Sequence, residues 1–145
     1  MFLLETEVPK AMGNIITGSN DGPPIDLYNL YANACNFGIG PAELSLRFPL
    51  HRVQAVHFSG GKWVAEPAPN PEKRMRVLDD RLHDVPPSAF ELLALLAQHA
   101  PQPLDVIIER DGEYPAFDSL LAQLETARSG LQLGRQSATH LRKAA

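Results

Sequence analysis

The chain has 145 residues, 44% of them hydrophobic and 21% charged, with a formal net charge of −4 at pH 7. That length supports a single core burying about two-thirds of the unfolded surface, and the mild acidity argues against a general nucleic-acid binder. The lone cysteine, Cys35, excludes an intrachain disulfide and a cysteine-rich zinc site. No apolar run approaches the ~20 residues a membrane span needs, and the N-terminus lacks an export pattern. The cytoplasm is the expected compartment, with no membrane and no nucleic acid as partner.

In chain order, short apolar runs repeatedly end on a metal-capable side chain. Phe2-Leu3-Leu4 runs into Glu5, and Pro24-Ile25 into Asp26. Leu27 to Cys35 could begin a helix, although Asn33, Asn36 and Gly38 weaken it. Ala42 to Leu46 predicts one helical turn. Val53 to Phe58 then reads as a strand carrying His57, closed by the Gly60-Gly61 turn. Residues 62–76 form a proline-rich loop or hairpin with the only tryptophan, Trp63.

Ser88 to His99 carries the strongest helix signal, with Ser88 and Glu91 spaced as a capping box and Pro101 as the stop. Leu104 to Glu109 is a β-branched strand that ends on Glu109. A further helix starts near Pro115, with Phe117, Leu120, Leu121 and Leu124 on one stripe and Gly130 as its stop. Residues 1–130 form one domain, followed by a flexible basic tail over 131–145. The expected fold is α/β, with about four parallel strands and flanking helices. So few strands make at best half of an eight-stranded barrel.

Ligand sites of parallel α/β folds lie at the carboxyl ends of strands. Carboxylates and imidazole converging there suit a divalent or iron-type metal. Glu109 closes an apolar strand, where a carboxylate is costly unless paired or metal-bound; an ion pair with Arg110 is the plain alternative. His57 precedes Phe-Ser-Gly-Gly, small residues that leave room for a ligand. Asp79, Asp80, His83 and Asp84 cluster ahead of the capped helix, where some could instead satisfy its N-terminal amides. Asp26 and Asn29 fit an Asx turn equally well. No phosphate loop or nucleophile elbow is present.

Four ordered segments together resemble a known family: 26–38 (Asp-Leu-Tyr-Asn-Leu-Tyr-Ala-Asn-Ala-Cys-Asn-Phe-Gly), 56–61 (Val-His-Phe-Ser-Gly-Gly), 78–86 (Leu-Asp-Asp-Arg-Leu-His-Asp-Val-Pro) and 107–115 (Ile-Ile-Glu-Arg-Asp-Gly-Glu-Tyr-Pro). The series resembles the C-terminal half of the multinuclear iron TIM-barrel family, once catalogued as a domain of unknown function. Its best-known members act in the biosynthesis of ribosomally made peptides such as methanobactin. With a partner protein and oxygen, they remodel cysteines of a precursor peptide.

The resemblance implies a partial TIM barrel, multinuclear iron as cofactor, and metal-ligand roles for Glu5, Asp26, His57 and Glu109. Asp79 or Asp80 would match the aspartate of an Asp-x-His-type segment, and Asn29 a polar, ligand-like position. The departures are specific. Arg81 stands where a ligand histidine is expected, unless His83 substitutes for it. Tyr28 and Phe37 replace more ligand-like residues, and Asn14 to Pro24 is too short for the first crossover helix. The N-terminal half of the barrel is missing.

The implied function is thus a metal-dependent, iron-type oxidoreductase modifying cysteines of a precursor peptide, incomplete as this single chain. Its expected partners are the precursor peptide and a partner protein, the missing barrel half or a second copy. The alternatives are a non-catalytic, metal-free half-barrel, or another metal-dependent barrel enzyme of isomerase or phosphoesterase type.

Overall fold

The computed structural model describes residues 24–66 and 75–144. Strands β1 (Ile25–Asp26), β2 (Ala55–Phe58) and β5 (Asp105–Ile108) form a parallel sheet in the order β1-β2-β5. Helices α1 (Leu27–Phe37), α2 (Pro41–Ser45), α3 (Pro87–His99) and α4 (Phe117–Ala144) connect and flank it. An antiparallel hairpin, β3 (Lys62–Ala65) with β4 (Met75–Leu78), lies between β2 and α3. The α/β class and the parallel sheet match expectation, and the three parallel strands among the described residues are consistent with part of a barrel. The run ending at Glu5, expected as a fourth strand, lies outside the described residues.

The strand register decides which side chains meet. Asp26 aligns with His57, and His57 with Ile107. Side chains alternate along a strand, so Asp26, His57, Ile107 and, two residues on, Glu109 fall on one face. The opposite face carries Ile25, Val56 and Phe58, all fully buried. Phe58 packs against Phe90 of α3 at a ring-centroid distance of 5.1 Å. The first face is open, with Ile107 45% exposed.

Helix α1 forms despite its asparagines, because each has a task. The Asp26 carboxylate caps the helix, accepting the Asn29 N–H at 3.0 Å. The Asn33 side chain donates to Asn29 O at 2.9 Å and to Asn29 Oδ1 at 2.8 Å. Asn36 pairs with the main chain of β4, accepting the Val77 N–H at 2.7 Å and donating to Val77 O at 3.0 Å. Gly38, at φ 69°, ends the helix in the left-handed conformation.

The C-terminal helices depart from expectation in four ways. Helix α3 starts at Pro87 with Pro86 as its N-cap, so Ser88 is already inside and makes no capping box. The fixed φ of proline suits the first helical position and moves the start back by one residue. Gly130 does not stop α4, and residues 131–144, expected as a flexible tail, continue the helix. Glycine serves here for close approach: a Cβ on Gly134 would lie 2.1 Å from the Ala94 carbonyl oxygen of α3. Ala127 and Gly134 are the buried residues of α4. The predicted apolar stripe is therefore not the buried one, and Phe117 and Leu121 remain exposed. Among the described residues no helix is long and apolar enough to cross a membrane.

Candidate functional site at the strand ends

The carboxyl ends of β1, β2 and β5 bring together Asp26, His57 and Glu109, as the sequence predicts. Their centre holds a side chain of opposite charge. Arg81 Nη2 donates to Asp26 Oδ2 at 3.0 Å, and Arg81 Nη1 lies 3.0 Å from Glu109 Oε2. That second contact is an ion pair without hydrogen-bond geometry, so the buried Oε2 has no hydrogen-bond partner. The other Glu109 oxygen, Oε1, sits 2.6 Å from His57 Nδ1. Burial works against the Arg81 charge, but Glu109, Asp26, Asp79 and Asp111 outweigh it and raise its pKa.

The backbone puts Arg81 there. Its φ of 57° is left-handed, a conformation that costs a non-glycine residue about 1–2 kcal/mol. Two main-chain hydrogen bonds hold it: the Arg81 N–H donates to Gly60 O at 3.0 Å, and the Asp111 N–H donates to Arg81 O at 3.0 Å. Gly60-Gly61 was expected to leave room for a ligand beside His57. The chain itself fills that room. A Cβ on Gly60 would lie 2.2 Å from the carbonyl oxygens of His83 and Asp84, and one on Gly61 would lie 1.9 Å from Leu78 O.

Asp79 and Asp80 separate in role. Asp79 borders the centre, accepting from Ser59 Oγ at 3.0 Å and from Asn29 Nδ2 at 3.4 Å. Burial, followed by the nearby charge of Asp26, pushes its pKa up despite Ser59, Asn29 and Arg81. Asp80 turns to its own loop, 2.9 Å from His83 Nδ1 and accepting the Leu82 N–H at 3.0 Å. Burial opposes its ionisation, but the His83 and Leu82 hydrogen bonds and the His83 and Lys62 charges prevail and lower its pKa. The structure thus pairs His83 with Asp80 while Arg81 contacts Asp26 and Glu109. Neither Asp79 nor Asp80 caps α3, which has no side-chain cap hydrogen bond and whose Ala89 and Phe90 amides donate to Pro86 O.

The remaining positions resolve as follows. Tyr28 is 2% exposed and packs on Tyr31 at 5.6 Å between centroids. Burial and the neighbouring Tyr31, Asp79, Asp80 and Cys35 push its pKa up to about 12. Phe37 is exposed. Arg110, expected as the plain partner of Glu109, pairs instead with Asp84 at 3.0 Å. Glu5 lies outside the described residues. Sequence reasoning missed Ser59, which is buried and two residues beyond His57; strand periodicity was the signal that could have found it.

Asp79 yields a prediction with a definite sign. A carboxyl whose pKa is raised on folding binds its proton more tightly in the native state, so stability falls as pH rises through the window above the ordinary aspartate value of 3.8. Asp79→Asn is therefore expected to stabilise the fold at pH 7, and to lose that advantage below the unfolded-state pKa. Urea midpoints at pH 7 and at about pH 3 check this; an equal effect at both would show that charge is not the cause.

The family resemblance implies iron, and the described residues do not fit it as they are arranged. Among them, no group of three or more His, Cys, Asp or Glu side chains is placed to hold one ion. The carboxylate oxygens that would face a metal face the Arg81 guanidinium, which would repel a cation.

Comparison with known proteins agrees with the sequence resemblance. The family described as RiPP precursor modification enzyme MbnB/TglH/ChrH matches residues 12–132. A UPF0276 protein of Caulobacter vibrioides is 31% identical over 112 residues, which is 77% of this chain and 36% of the relative. One from Acaryochloris marina is 27% identical over 103 residues, covering 71% of this chain and 34% of the relative. A Streptomyces avermitilis relative is 31% identical over 108 residues, covering 74% and 20% respectively. The chain spans about a third of the length of the first two relatives. With a match over most of its length and a sheet of the expected class, this chain belongs to the MbnB/TglH/ChrH family of RiPP precursor modification enzymes.

Proposed function

We propose that this chain serves the modification of ribosomally made precursor peptides as one part of an assembly, with a further polypeptide covering the open sheet face. The observation that carries this reading is that open face itself. Asp26, His57 and Glu109 stand together at the strand ends, yet the same face leaves Ile107 45% exposed and belongs to a sheet with three strands among the described residues. Among the described residues the outer strands β1 and β5 each leave one edge unpaired, and folded proteins cover such edges. Family membership supports the substrate class.

In this reading, iron-dependent oxidation of precursor cysteines is a property of the completed assembly and not of residues 24–144 alone. A second reading, a metal-free partner module without catalysis, is favoured by the Arg81 guanidinium between Asp26 and Glu109. Co-expression of the chain with its neighbouring reading frames and a cysteine-bearing precursor peptide tests the proposal. A mass change at the peptide cysteines that disappears when this chain is omitted supports it. A change that persists without the chain overturns it. If the dependence survives replacement of both His57 and Glu109 by alanine in a variant that still folds, the non-catalytic reading is the right one.

A further inference from the structure

We infer that Arg81 is an internal cation standing in for a metal ion: its guanidinium joins the strand-end carboxylates and closes the centre of this chain to divalent metals. The inference rests on the contacts within this chain around Arg81, so it stands or falls separately from the assembly proposed above.

Three observations converge. The first is contact. One guanidinium reaches both β1 and the end of β5, at 3.0 Å from Asp26 Oδ2 and 3.0 Å from Glu109 Oε2. A guanidinium is planar, permanently charged and forked, so it can serve two carboxylates at once, as a small ion would. The second is the state of the remaining donors. His57 Nδ1 is taken by Glu109 Oε1 at 2.6 Å, and Asp26 Oδ1 is taken by the Asn29 N–H that starts α1. An entering metal would have to displace Arg81 from the other two oxygens. The third is the backbone. Arg81 is held in a left-handed conformation by hydrogen bonds to Gly60 and from Asp111. A residue that bears backbone strain while its side chain spans two strands is fixed by its surroundings, not loosely placed.

Left-handed φ also shows how to open the centre. Glycine adopts φ near 57° freely, and histidine is among the residues enriched there. Arg81→Gly removes the guanidinium without adding backbone strain. Arg81→His places an imidazole at the same position, giving three metal-capable side chains with Asp26 and Glu109.

The test is titration of the purified full-length chain and these variants with Mn2+ and Zn2+, read by calorimetry and by thermal melting. The wild-type chain is expected to show no saturable binding and no shift in Tm. Arg81→Gly should melt lower without metal and recover with it. Arg81→His should bind about one equivalent, at least about tenfold more tightly than the wild type, and lose that binding when Asp26→Ala is added. Wild-type binding as tight as that of Arg81→His, abolished by Glu109→Ala, would overturn the inference; so would the failure of a folded Arg81→His to bind either metal. Should both variants fail to fold, nuclear magnetic resonance of the wild type with paramagnetic Mn2+ decides. Unbroadened Asp26 and Glu109 signals support the inference, and their selective broadening defeats it.

Discussion

Gly60→Ala is expected to cost about 3 kcal/mol of folding stability, at the upper end of overpacking effects. The new methyl carbon would sit 2.2 Å from two main-chain oxygens, those of His83 and Asp84, and neither can rotate away as a side chain would. Relief requires the whole 78–84 segment to back off from β2, and that segment carries Asp79, Asp80 and Arg81. The Arg81 N–H to Gly60 O hydrogen bond would lengthen with it. Gly38→Ala is the matched control: nothing lies within 4 Å of its added Cβ, and only the φ of 69° opposes it, a cost of about 1–2 kcal/mol. Urea unfolding of both variants makes the comparison. If Gly60→Ala loses no more than Gly38→Ala, the segment is not pinned against β2 in the way the contacts indicate.

The second large effect concerns Asp26, whose two oxygens do different work. Oδ1 accepts the Asn29 N–H at the start of α1, and Oδ2 accepts from Arg81. Losing a cap of this kind costs about 1 kcal/mol. Losing one carboxylate partner of a half-buried guanidinium adds about 1–2 kcal/mol, less than for a fully buried pair because Arg81 retains contact with water and with Glu109. Asp26→Ala is therefore expected to lose about 2–3 kcal/mol in total. Asp26→Asn keeps an oxygen acceptor for the cap and loses the charge, so it should lose only the ion-pair share. Equal losses in the two variants, measured by denaturant midpoints, would show that the cap contributes nothing.

Much of this arrangement is legible in the sequence, because strand-end chemistry follows from alternation. An apolar run of defined length that ends on His57 or Glu109 fixes both the element and the face on which the polar residue emerges. The register of the parallel pairing, which the structure supplies, then aligns Asp26 with His57. Other features escape because they depend on contacts distant along the chain. The Asn36 side chain looks like a helix breaker until α1 meets β4. Gly130 looks like a stop until α4 is seen to continue along α3, with Gly134 at the close approach. The Pro86-Pro87 pair overrides the Ser88 cap by starting the helix early.

The site divides in the same way. Residue types named its members, but not what lies between them. Arg81 was visible as a departure from the family pattern, and its charge predicted conflict with a metal. What no local signal conveys is that its side chain reaches Asp26 and Glu109 together, since those partners lie 55 residues before it and in a strand on the far side of β2. The apolar stripe on α4 misled for a related reason. Period alone identifies a face, and small residues at Ala127 and Gly134 determine which face another helix can approach most closely.

The amide of Asn36 has a consequence for motion. By offering both an acceptor and a donor to Val77, it bonds β4 to α1 much as a neighbouring strand would. A two-stranded hairpin is marginal by itself, so its persistence here is borrowed from the helix. Hydrogen exchange at the Val77 amide should then report the opening of α1 and not the fraying of the hairpin. In Asn36→Ala, that one amide would exchange at the pace of its hairpin while the amides of α1 stay slow, turning a single cooperative unit into two.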